Sequence, residues 1–172
     1  MFGKKRAQSA MEYLMTYGWA ILVIAIVLVA LYYMGIFGSG GSFTTTSCIP
    51  SSGYMCSNPI LHNGNLNITL GEMTGTSWTN AIFCFVPSGS TLNTTVSTVA
   101  CTSKTGTVYS GSNGPTSVAS GQTMQESFNV GSGYATAGAT IAGQVWAVYQ
   151  ISGAAGAPVY ATEIGTLTAK AV

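Results

Sequence analysis

Residues 13–37 read YLMTYGWAILVIAIVLVALYYMGIF. No charged residue interrupts this run, and its apolar residues go all the way round a helix rather than along one stripe. Such a helix has to be surrounded by lipid or by other helices, because no face of it suits water. About 25 residues in helical form span roughly 37 Å, enough to cross a hydrocarbon core of about 30 Å. Tyr13, Tyr17 and Trp19 at one end and Tyr32, Tyr33 and Phe37 at the other put aromatic rings where the two membrane interfaces would lie. The run is too long to be the apolar core of a cleavable secretory signal, about 7–15 residues.

Upstream stands a short basic head, MFGKKRA, with Lys4, Lys5 and Arg6 holding three of the five basic residues of the chain. A basic flank stays on the cytoplasmic side, which sends everything after the helix outside, an N-in/C-out arrangement. Glu12 directly precedes the apolar run. A plain membrane anchor explains the length and orientation of the helix but assigns Glu12 no task beyond sitting among headgroups and favouring the positive helix N-terminus, worth about 0.3–1 kcal/mol. A carboxylate this close to hydrocarbon usually has a partner.

KKRA followed by QSAMEYL resembles the class III signal of archaeal type IV pilin-like proteins. The match covers roughly the first thirty residues, and leader, Gln, Glu spacing and apolar run all agree with it. The bacterial pattern of Gly before the cut and Phe after it is absent, which points to the archaeal branch. The resemblance implies cleavage between Ala7 and Gln8 by a prepilin peptidase, retention of the apolar helix, and Glu12 as the fifth residue of the mature chain. It also implies an assembly ATPase and a membrane platform protein as partners. The subunit would wait in the inner (cytoplasmic) membrane as a precursor and end in an extracellular filament, a homopolymer held by its N-terminal helices. Cleavage creates an α-amino group with a reference pKa of about 7.7–8.0. That amine on Gln8 of one subunit and the Glu12 carboxylate of its neighbour would each be costly to bury alone, and pairing offsets the cost while setting axial register. The expected function is a pilin for surface adhesion. Two alternatives remain: an archaellin-type motility subunit, and a membrane-anchored surface binding protein that never polymerises.

Gly38-Ser39-Gly40-Gly41-Ser42 follows the apolar run, a helix stop and a flexible linker. Beyond it the pattern changes to short alternating runs split by Gly, Ser, Asn and Pro. Leu66, Ile68 and Leu70 alternate with polar or small residues, and Met124, Phe128 and Val130 share one face of QTMQESFNV. TIAGQVWAVYQI (140–151) is apolar on both faces and is expected to be a central strand, while YATEIGTLTAKAV (160–172) reads as a final strand. Six to nine strands are expected in all. The expected fold is α+β: a basic leader (1–7), a long apolar α-helix (8–37), a linker (38–43), and an all-β, Ig-like β-sandwich outer domain (44–172).

Only 5% of the residues are charged, against roughly 25% in ordinary soluble domains, and hydroxyl and glycine residues fill the gap. With no basic patch beyond the head, nucleic-acid binding has no support. Four cysteines in an exported domain read as two disulfides. The spacings, C-x7-C and C-x16-C, lack the close pairs of a zinc site. Of the three possible pairings, Cys48–Cys56 and Cys84–Cys101 are expected: the first would close the loop CIPSSGYMC, and the second would staple two neighbouring strands, FCFV and VACTS. Asn67-Ile68-Thr69 and Asn93-Thr94-Thr95 fit the N-glycosylation pattern, and sugars there would solubilise a surface with little charge. His62, the one histidine, sits in NPILHNGN, a turn, with no base–nucleophile set around it. The glycine-rich stretches lack the P-loop lysine. No catalytic residue, cofactor or metal is expected. Replacing Glu12 by Gln is expected to leave export intact and to lower filament yield; a yield equal to that of the unmodified chain removes the ion-pair role.

Overall fold

The computed structural model describes residues 4–33, 46–153, 156 and 158–172, and within the first helix it describes the side chains of Met15 and residues 17–32. The chain divides into two compact units, Met1–Phe43 and Thr44–Val172.

The first unit contains α1 (Lys4–Tyr33), 30 residues without a proline or an interior break. Its described apolar side chains, from Met15 (79% exposed) through Ile21, Leu22, Ile24, Ile26 and Leu28 to Tyr32, are exposed on every side. Among the described residues no helix is long and apolar enough to cross a membrane. The stretch with described side chains is shorter than the about 20 residues a span requires.

The second unit is built from two facing antiparallel sheets. Among the described residues eleven strands are present: β1 (Ser47–Pro50), β2 (Tyr54–His62), β3 (Asn65–Glu72), β4 (Trp78–Pro87), β5 (Thr91–Leu92), β6 (Ser103–Thr105), β7 (Tyr109–Ser110), β8 (Thr116–Val118), β9 (Thr123–Asn129), β10 (Thr140–Ile151) and β11 (Val159–Lys170). The large sheet runs β1-β11-β10-β4-β7, with β8 also on β4; the small sheet is β2-β3-β9, and β5-β6 form a separate ribbon. The excess over six to nine strands comes from pieces of two to four residues, β1 and β5 to β8, too short to leave an alternating pattern.

Local chemistry sets the clearest element. Asn63 and Gly64, with φ of 50° and 73°, join β2 to β3. Two consecutive positive φ values make the turn whose twist suits a two-residue hairpin, which is why Asn-Gly occupies it. A Cβ on Gly64 would also lie 2.5 Å from the carbonyl oxygen of Gly131. From that turn the alternation of β3 drives Leu66, Ile68 and Leu70 inward, where they meet Phe128 from β9 and Trp78, Phe83, Phe85, Val145 and Leu167 from the large sheet. Trp78 stacks on Tyr149 with ring centroids 4.0 Å apart, and the Tyr54 ring lies tilted to that of Trp78 with centroids 6.0 Å apart.

The large sheet is apolar on both faces at β4 and β10, and β10 is central, between β4 and β11. Ile82, Cys84, Val86 and Val148 point away from the main core into a second cluster with Leu92. Val96, Val99, Cys101 and Val108, from the excursion between β4 and β7, cover it. Cys84 is bonded to Cys101. Cys101 belongs to the loop between β5 and β6, not to a strand beside β4: the staple ties down a lid across the sheet rather than two neighbours within it. Cys48 is bonded to Cys56 and joins β1, an edge of the large sheet, to β2, an edge of the small one.

Close backbone approach leaves no room for a side chain at several glycines, Gly143 among them. A Cβ on Gly143 would lie 2.3 Å from the Val86 carbonyl oxygen. Gly133 has open space around it and an ordinary φ. Gly143→Ala is therefore expected to destabilise the fold by about 1–3 kcal/mol, and Gly133→Ala to stay within about 0.5 kcal/mol of the unmodified protein, both read by chemical denaturation; equal stabilities would overturn the packing described here.

Candidate functional site

Ala7, Gln8 and Glu12 fall within the backbone of α1; their side chains lie outside the described residues, as do the residues 34–37 expected to complete the helix and the Gly/Ser linker 38–43.

His62 ends β2 beside the Asn63-Gly64 turn. Its Nδ1 is 3.1 Å from the backbone oxygen of Val172, and its Nε2 is 2.9 Å from the side-chain amide of Asn63. These contacts belong to the seam where Val172 N–H donates to the Leu61 carbonyl and the last residues of the chain meet β2. The three outer-domain acids do not gather: among the described residues no three His, Cys, Asp or Glu side chains come together.

Two of those acids are buried, Glu72 at 1% and Glu126 at 2% exposure. Both have the parity of the core-facing residues around them, Leu70 for Glu72 and Met124 and Phe128 for Glu126. Reading QTMQESFNV for its apolar members alone passes over Glu126, although its even position was the signal. The segment after β7 accommodates it. Gly111 passes so close that a Cβ there would sit 2.5 Å from the Glu126 Oε2. The Asn113 backbone N–H donates to the same oxygen at 3.3 Å, while the Asn113 amide donates to the Gln125 carbonyl at 2.6 Å. Burial pushes the Glu126 carboxyl above its usual range, against the opposing pull of its hydrogen bonds from Asn113 and Ser112. Glu72 accepts from the backbone N–H and hydroxyl of Thr74 through one oxygen, and its other oxygen has no partner among the described residues. Burial, then the neighbouring Tyr149 and the Glu72 carboxylate, raise the Tyr54 phenol.

A concavity lies on the outer face of the small sheet. It encloses about 1040 Å³ and is lined by Ser57, Asn67, Thr69, Gln125 and Ser127 along the strands, with Thr46 to Cys48 on one side and Ser112 on the other. The two sequons part company here. Asn67 is exposed in the middle of β3, which pairs on both sides. Asn93 stands in a loop, its Oδ1 accepting from Thr95 N–H at 3.1 Å in a turn of the type Asn favours.

No protein-family model, curated protein or solved structure matches the chain.

Glu126 offers a direct pH test. Because its folded pKa is raised, the stability linked to its protonation is fully present below the unfolded value near 4.5 and is lost as pH rises through the folded value. At neutral pH the buried charge is a cost that Gln would not carry. The Tm of Glu126→Gln minus that of the unmodified chain is therefore expected to be larger at pH 7 than at pH 4; a difference independent of pH would overturn the assignment.

Proposed function

We propose that this chain is the structural subunit of an archaeal type IV pilus-like extracellular filament, with surface adhesion as its role. The observation that carries the reading is the sequence KKRA-QSAMEYL at the head of α1, followed by a helix whose described apolar side chains are exposed all round. A monomer in water has no use for such a surface. Neighbouring copies of the same helix would remove it from water, each buried CH2 contributing about 0.8 kcal/mol. Before assembly the bilayer would serve the same end.

The outer unit supports the same reading in two ways. Its fold, which we read as an Ig-like sandwich, carries two disulfides, suited to an oxidising exterior. Removing residues 1–7 takes away three positive charges and leaves two Lys and four Glu, a net charge of −2. Many such subunits can crowd along one axis with little mutual repulsion. Of the two sequons, Asn93 is the better-placed acceptor, because it stands in a loop rather than inside a strand paired on both sides.

Surface fibres purified from the native cells, imaged by electron microscopy and subjected to N-terminal sequencing, test the proposal. The expected result is this polypeptide as a fibre component beginning at Gln8. A chain that retains Met1 and is confined to the membrane, with fibres lacking it, would overturn the filament reading in favour of a static anchor.

A further inference from the structure

The outer face of the small sheet presents two rows of side chains across three strands. Ser57, Thr69 and Gln125 stand opposite one another in register, and so do Ile60, Asn67 and Ser127. Between Ser57 and Ile60 the register shifts, so that Asn58 and Pro59 form a bulge, with Asn58 at φ 51°. Bulges of this kind re-aim side chains at the edge of a sheet. Together these residues floor and flank the groove of about 1040 Å³, just above the usual range for small-ligand sites, about 300–1,000 Å³.

Its chemistry is selective by what it lacks. Among the described residues Glu126 is the one ionisable residue lining it, and that carboxylate is buried and engaged by Asn113 on the inner side. A charged ligand would therefore leave its hydration without a counter-charge in return. A purely apolar ligand would strand the amides of Asn67 and Gln125 and the hydroxyls of Ser57 and Thr69, none of which makes a side-chain hydrogen bond to the described residues. Amides and hydroxyls both donate and accept, so they suit a partner that does the same. Pro59 and the half-exposed Ile60 add a small apolar surface at one margin. An uncharged molecule with many hydroxyls and intervening C–H faces meets all of these conditions.

We propose that the outer face of β2-β3-β9 binds a neutral oligosaccharide, with the side-chain amides of Asn67 and Gln125 as its central hydrogen-bonding groups. In this arrangement Asn67 is a ligand for sugar rather than an attachment point. Its backbone is held between two partner strands, where a transferase could not wrap it, and an attached glycan would fill the groove. The proposal gives a ligand class to the adhesive role, but it does not depend on polymerisation, because the groove lies within a single subunit.

The test uses the full chain in detergent, screened against neutral and acidic oligosaccharides on an array. Calorimetric titration with the best neutral binder then compares Asn67→Ala, Gln125→Ala and the shape-conserving Thr69→Val, with Ser88→Ala in the turn after β4 as control. The expected result is binding of neutral sugars, weakened tenfold or more by Asn67→Ala and Gln125→Ala and measurably by Thr69→Val, with the control unchanged. Binding of acidic sugars alone, no binding of any neutral sugar, affinities indifferent to the groove substitutions, or a glycan on Asn67 in the native subunit would each overturn it. A subunit that failed to form filaments would still bind, so the two proposals fail separately.

Discussion

Strand β4 has no face to spare for water. Ala81, Phe83 and Phe85 enter the main core, while Ile82, Cys84 and Val86 enter a second one on the opposite side. The architecture of the outer unit follows from having to cover both. On one side the small sheet supplies Leu66, Ile68, Leu70 and Phe128. On the other, a third sheet is not available, and the excursion between β4 and β7 does the work with a two-stranded ribbon and a handful of valines. Those valines are only partly buried, so the lid gains modest hydrophobic stabilisation. Its covalent bond to Cys84 makes up for that by limiting the freedom of the excursion in the unfolded chain, an effect of about 2–4 kcal/mol for loops of this size.

Much of this was legible because it is local. The turn in NPILHNGN, the strict alternation of β3 and the two-sided apolarity of β10 are written in neighbouring residues, and so the turn and the central strand were expected where they stand, while the Asn-Gly hairpin that the turn forms was not foreseen. Both disulfides pair as the loops around them suggested, since each links segments already close in sequence. What escaped was non-local or masked by residue type. That β1 pairs with β11, more than a hundred residues away, depends on a contact no window can register. Glu126 was passed over because an acid normally marks the wet face of a strand, yet here Gly111 and Asn113, brought in from another part of the chain, allow it inside. Asn67 was read for its sequon, and only the pairing of β3 on both sides shows it as the floor of a groove.

The scarcity of charge links the two units. In the outer unit the surface is kept wet by hydroxyls, amides and backbone rather than by ions, and this leaves the groove on the small sheet free of any strong electrostatic preference. In the helical unit the same scarcity leaves a largely apolar rod, whose described side chains from Ile21 to Ala30 offer water no polar group. A surface that repels little and a helix that needs company are both suited to close repetition of one subunit.

The bond between Cys48 and Cys56 has a mechanical meaning as well as a thermodynamic one. It sits one residue into β1, close to where tension passed along the chain from its N-terminal side would arrive. Without it, β1 is held to the large sheet by four residue pairs with β11 and by a few flanking hydrogen bonds. With the sulfur bridge in place, pulling on β1 also pulls on β2, so both layers of the sandwich share the force, and the residues beyond Cys48 are shielded from peeling until a covalent bond gives way.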